Sequence, residues 1–356
     1  MKKIVVFICL LIFTFKQGSC QTNDAFIASG NMIIQIINRT IYEIQGNEKK
    51  YGMYINRAHL GYRYQFAPKW SGTVILDIGR PTIFGNLGVK DTTGNPLSVS
   101  YNYSQGSYYT MTLKFSYLEF NPTPKIKLQA GGILQNHYIT QEKFWGYRYI
   151  LETFSDKYFG IPSADLGFIC YFSPIEWLSV DAAITNGEGF RNNQDNHGKV
   201  KLAAGIDIKP LKGWITRLYY DNTTSGDPVK PATQQLISIF TGYRLPGVFR
   251  LGGEYNWHLN HEYIQNKDLY GCSIYNSIEM RPNLEFLVRY DKLISNTLEG
   301  TTSAWHIQDD GEAYIAGVHY KPEKNISLSL SYIGWNPSSH LLKYKNGIEF
   351  SFEYKL

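Results

Sequence analysis

Beyond position 20 the chain has no apolar run approaching the ~18 residues that a membrane-crossing helix needs. Cysteine is scarce as well. Only Cys170 and Cys272 follow position 20, too few for a disulfide framework or a structural zinc site. Charge of one sign is lacking: the formal +5 includes Lys2, Lys3 and Lys16, so without them the chain stands near +2. Nucleic acid is therefore not an expected partner on net charge. Catalytic signatures are thin. There is no GxSxG elbow and no Walker A loop. His261-Glu262 begins a zinc-protease pattern, but Gln265 stands where the second histidine is required. The run from Asn193 to Gly198 has oxygen ligands at calcium-like spacing without the closing glutamate. A rim serine with His59 or His258 would lack a third residue to orient the imidazole. No enzyme, metal or cofactor is expected.

The chain opens on Met1-Lys2-Lys3, an apolar run from Ile4 to Phe15, and a small-residue exit at Gly18-Ser19-Cys20. That layout reads as a secretory signal peptide, residues 1–20, cleaved before Gln21. The rival reading makes Cys20 the lipidated first residue of a lipoprotein, although Gln17 stands where a lipobox wants an apolar residue. Residues 21–356 then form one domain without a helical anchor.

What the chain has in abundance is aromatic residues, 15% of the total with 28 tyrosines, and a repeat marked by proline. Pro68, Pro122, Pro174, Pro210, Pro246, Pro282 and Pro322 each sit in a short turn. From Pro174 to Pro282 they recur every 36 residues, and the next step is 40. About ten residues of apolar/polar alternation flank each turn, and polar segments of variable length separate the units. Proline presets φ and ends a hydrogen-bonding ladder, so it suits such turns. Short turns alternating with longer loops predict an all-β fold, an antiparallel transmembrane β-barrel with short periplasmic turns and longer extracellular loops.

The alternation assigns faces, because successive side chains of a strand point to opposite sides. Ala58, Leu60, Tyr62, Tyr64 and Phe66 would face lipid, opposite Arg57, His59, Arg63 and Gln65. Met111, Leu113, Phe115 and Tyr117 likewise oppose Lys114 and Ser116. Fifteen strands follow position 53, and 31–37 supplies a first, giving about sixteen with both termini periplasmic. Phe66, Trp70, Phe120, Phe172, Trp177, Trp214, Tyr243, Phe249 and Tyr320 would form the inner aromatic girdle, and Trp257, Tyr290 and Trp335 part of the outer one.

Two loops are long, near 81–107 and 136–161. The second is rich in aromatic and apolar residues, which a loop in solvent should not be. It is third among the outer loops, and it is expected to fold inward as a constriction. Lys143 and Arg148 would offer charge there, while Trp145, Tyr147 and Tyr149 pack on the wall. Wall charges are mixed: Arg57, His59, Arg63, Lys114, Arg250 and Arg289 line the lumen beside carboxylates such as Asp291. Rings of charge set pore selectivity, and this near balance predicts a mild preference for anions. A plugged barrel with a structural or surface-binding role is the alternative.

The last strand alternates Phe350, Phe352, Tyr354 and Leu356 with polar residues after Gly347. It resembles the C-terminal signal read by the barrel-assembly machinery, with Leu356 where an aromatic residue is usual. The run Arg57-Ala58-His59-Leu60-Gly61-Tyr62-Arg63-Tyr64, with Phe66-Ala67-Pro68-Lys69-Trp70, is similar to early strands of outer-membrane porins. So, in order, are Tyr117-Leu118-Glu119, Asn186-Gly187-Glu188-Gly189, Lys201-Leu202-Ala203-Ala204-Gly205 and Arg289-Tyr290-Asp291-Lys292-Leu293. The chain thus resembles the broad porin group that includes the phosphate-selective porins O and P. The resemblance implies a sixteen-strand homotrimer in the outer-membrane lipid of a Gram-negative bacterium, passing small hydrophilic solutes or inorganic anions. The third loop departs from the phosphate-specific members: only Lys143 and Arg148 stand for their basic constriction.

Overall fold

The computed structural model describes residues 26–90, 98–192 and 199–356, with side chains outside 79–108. The signal peptide, Cys20 and the Asn193–Gly198 run lie outside the described residues. Sixteen antiparallel strands close into one barrel. In order they are β1 (Ser29–Gln45), β2 (Glu48–Ala67), β3 (Trp70–Lys90) and β4 (Ser98–Thr123), then β5 (Ile126–Leu134), β6 (Ala164–Ile175), β7 (Leu178–Thr185) and β8 (Lys201–Ile208). The second half comprises β9 (Trp214–Thr224), β10 (Thr233–Leu245), β11 (Phe249–Leu259), β12 (Leu269–Arg281), β13 (Leu284–Ser295), β14 (Gly311–Glu323), β15 (Ile326–Pro337) and β16 (Lys345–Lys355). Every strand pairs with its chain neighbours, and β1 pairs with β16 from Gln35↔Lys355 to Gln45↔Lys345. The seam uses the terminal segment: Phe350, Phe352 and Tyr354 pair with Thr40, Asn38 and Ile36.

All seven proline-marked turns lie at one end of the barrel, here the turn end. Register shifts cluster beside them, as at Gln65/Ala67, Phe120/Thr123 and Phe172/Ile175, because proline cannot continue the ladder. Aromatic residues ring that end: Trp70 stacks on Phe120 with centroids 4.2 Å apart, and Phe66, Trp177, Trp214 and Tyr320 are exposed. Leucine, isoleucine and tyrosine side chains cover the outer surface. In water such a surface would be a large aggregation-prone patch; in lipid it is the favourable one.

Four expectations need correction. The segment 81–107 is not a long loop, since β3 and β4 stay paired from Pro81↔Tyr109 to Lys90↔Ser98. Its glycine, asparagine and serine content reads as loop, but the backbone pairs regardless. The first strand extends well past residue 37, and the bulge beside Ile37/Asn38 lies on its partner, where Asn56 of β2 is the extra residue. A second irregularity at Ile75/Leu76 pairs Ile75 with Phe115 and Leu76 with Leu113. One residue of slip exchanges the two faces of a strand, so Phe115 and Tyr117 turn from the expected lipid side to the lumen. Trp335 also faces inward, stacked on Tyr158 at 5.9 Å, and is no part of an outer girdle.

Candidate pore and constriction

Between β5 and β6 the chain leaves the wall and folds into the lumen. Two short helices shape it, α1 (Ile139–Trp145) and α2 (Phe154–Tyr158). Gly146 ends α1 in the left-handed region, φ 76°, returning its N–H to the carbonyl of Glu142. The apolar residues that made this loop unlike a solvent loop are its docking face. Trp145, Tyr147, Tyr149, Ile150 and Leu151 pack on Ile37, Phe240, Tyr275, Leu287, Ala313 and Ile315 of the wall. Phe154 and Phe159 pack on Ala203, Tyr219, Leu236, Leu269 and Leu293. Each large side chain so buried contributes about 1.5–3 kcal/mol. Trp145 is wholly buried, and its indole donates to the Leu151 carbonyl at 2.8 Å.

Polar contacts fix the same loop at several points. Arg250 donates to the Trp145 carbonyl, Arg39 to the Tyr149 carbonyl at 3.2 Å, and Arg289 to the Glu152 carbonyl at 2.7 Å. Thr140 donates to Asp207 at 2.8 Å, Asn136 to Asp181, Tyr147 to Glu285, and Tyr158 to Asp291 at 3.0 Å. The Tyr149 hydroxyl lies 2.6 Å from His319. Burial alone would raise the Glu152 carboxyl, but Arg39, Lys157 and Arg148 outweigh it and hold it at about 2.

The expected pore residues divide into distinct sets. Lys114 lies 3.2 Å from Asp77 and 3.4 Å from His59 in a buried cluster on β2, β3 and β4, and Phe115 caps the His59 ring edge-on at 6.3 Å. Arg57, taken as a whole residue, is half-buried. Arg63 keeps much of its side chain in solvent while pairing with Glu119 at 2.7 Å. Arg250, Arg289 and Asp291 serve the loop: Arg289 and Asp291 form a buried pair, 2.7 Å apart, beneath it. Arg148, expected as constriction charge, is enclosed by Glu142 and Asp156 and braces the loop from within. Lys143 alone of the loop's two expected cations is exposed. Arg39 and His319 were not foreseen. Arg39 lies beyond residue 37, where the first strand was expected to end, and His319 gave only the ordinary alternation of its strand.

Among the described residues no three histidine, cysteine, aspartate or glutamate side chains gather to hold a metal ion.

No family model and no curated protein matches the chain. Solved structures do match along its length. Salmonella typhi OmpF aligns over 92% of this chain and 97% of its own, at 12% identity and a TM-score of 0.64. The outer membrane channel DcaP of Acinetobacter baumannii gives 92%, 97%, 12% and 0.61. An anion-selective porin from Comamonas acidovorans gives 93%, 100%, 10% and 0.63. At such identities the likeness is one of fold, here a closed antiparallel β-barrel of sixteen strands.

Proposed function

We propose that this chain is an outer-membrane porin, a water-filled channel for passive diffusion of small hydrophilic solutes with a mild preference for inorganic anions. The observation that carries the reading is the third loop, mounted inside a closed sixteen-strand barrel with Lys143 exposed. Sixteen strands enclose more room than their own side chains fill, and an inward loop narrows that room without closing the wall. In this reading Arg57, His59, Arg63 and Lys114 set the field on one wall, and Lys143 sets it on the loop. Trp145, Arg148, Arg250, Arg289 and Asp291 hold the aperture's shape. Signal peptide 1–20 exports the chain to the outer membrane of a Gram-negative bacterium, as the resemblance to the broad porin group that includes porins O and P implies. Gly347, Phe350, Phe352, Tyr354 and Leu356 form the signal taken up by the barrel-assembly machinery, and the product is a homotrimer.

Single-channel recording in planar bilayers, with reversal potentials under a salt gradient, tests this directly. Ohmic conductance with a small anion preference is expected, together with liposome swelling in small sugars. A clear cation preference refutes the selectivity. Absence of both conductance and swelling favours a second reading, a barrel closed by its own loop and serving a structural or surface-binding role. The two apolar clusters between loop and wall are the observation in its favour.

A further inference from the structure

Water-accessible cavities flank the third loop on both sides, and their charges differ sharply. Two of those toward the turn end, of about 660 and 450 Å³, are both lined by Lys143 on α1. Together they are bordered by ten lysines and arginines against four carboxylates. Those carboxylates are already engaged. Asp181 and Asp207 both bind Arg217 at 2.8 Å, Glu353 lies 3.0 Å from Lys355, and Glu285 accepts from Tyr147 and Ser277. Lys125, Lys143, Lys209, Arg244, Lys321 and Lys324 border the cavities and form no ion pair among the described residues. Toward the loop end a cavity of about 620 Å³ has Arg39, Lys157 and Lys345 against Glu43, Asp309 and Glu349. There Arg39 pairs with Glu349 and Lys345 with Glu43, so the excess cancels.

We propose that the turn-side vestibule is a binding subsite for small anions carrying two or more negative charges, entered from the turn end and backed by Lys143. It rests on the channel reading and deepens it: the anion preference becomes sided, residing on one face of the constriction. The physical reason is cooperative. Unpaired cations on low-dielectric walls focus the field between them, and a multivalent anion interacts with several at once where chloride meets one at a time. Lysine supplies mobile point charges, so the subsite accepts carboxylate or phosphate groups without fixed geometry. The loop-side cavity, with its charges matched, gives a multivalent anion no comparable hold.

Two measurements test it, with trisodium citrate and sodium pyrophosphate as probes. Equilibrium dialysis of the detergent-solubilised barrel is expected to show binding of at least one probe, weakening as salt rises. Lys143→Gln and the double variant Lys321→Gln/Lys324→Gln should each weaken it by roughly tenfold, whereas Lys157→Gln on the loop side leaves it unchanged. In oriented bilayers the bound probe should block chloride current at roughly tenfold lower concentration from the turn side than from the loop side. A preference for citrate or for pyrophosphate assigns the site to carboxylate or phosphate chemistry, and either supports it. Equal block from both sides, equal weakening by Lys157→Gln, or no binding of either probe overturns it. Binding without any wild-type conductance sinks the channel reading and leaves the subsite standing. Conductance without binding does the reverse.

Discussion

Gly146 in the third loop and Arg250 on β11 are fitted to each other. A β-carbon built on Gly146 would stand 2.6 Å from Nη1 of Arg250, the atom that donates to the Trp145 carbonyl. The same residue holds φ at 76°, where a side chain costs about 1–2 kcal/mol. Gly146→Ala is therefore expected to unseat the end of α1 while the barrel stays closed. Chymotrypsin cleavage between 139 and 158 should increase, and heat-modifiable mobility on gels should stay as in the parent. Unchanged cleavage would show that the guanidinium simply moves aside.

Arg250→Ala removes a buried, charge-assisted hydrogen bond worth about 1.5–3 kcal/mol. It also removes a guanidinium 5.0 Å from the Tyr147 ring. The loop should then sample undocked states, seen as brief conductance steps above the parent level. A unitary current as steady as the parent's would contradict this.

Trp145→Ala deletes the largest wholly buried side chain of the loop. Large-to-small changes of this kind cost about 3–5 kcal/mol, here charged to docking of the loop against the wall. A higher mean conductance and faster amide exchange across 139–151 are expected. Leu330→Arg places a charge on the outer surface, where Leu330 is 57% exposed at mid-strand. Such a charge costs about 2–4 kcal/mol near the bilayer midplane. Refolding into vesicles monitored in denaturant should show that loss, and none would mean that Leu330 does not meet lipid.

Acid should loosen the loop in a defined window. Glu152 is held at about 2 in the folded protein, below its ordinary 4.5. A carboxyl whose folded value is depressed stabilises fully above the unfolded value and loses that contribution as pH falls through the folded one. The loop's contribution to Tm should hold from pH 7 to 5 and fade between about 4.5 and 2. Glu152→Gln should melt lower than the parent at pH 7, with the difference gone near pH 2. A difference that persists in acid would exclude this role.

Much of the barrel was legible because two one-dimensional signals suffice for it. Proline placed every turn of one end, and alternation of the kind seen from Leu60 to Phe66 told the outer face from the inner. The apolar content of 136–161 likewise betrayed a loop with something to pack against. What stayed hidden depends on register, which alternation does not encode. The slip at Ile75/Leu76 exchanges the faces of β4 and misdirected Phe115 and Tyr117, while Arg39 lay past the expected end of the first strand. Partners were hidden for the same reason. Nothing in the chain tells that Arg148 turns back to Glu142 and Asp156 while Lys143, five residues earlier, stays exposed. The paired ribbon of β3 and β4 was missed because glycine, serine and asparagine are turn formers whose backbone groups pair as readily as any once a neighbour is in place.

Arg39, Arg250 and Arg289 all grip the third loop by main-chain carbonyls, at Tyr149, Trp145 and Glu152. A carbonyl is the same whatever residue carries it. The fastening is thus indifferent to much of the spelling of the loop, and residues such as Lys143 can drift without loosening it. Permeant preference can then be retuned by substitution at the tip while the mounting hardware stays in service.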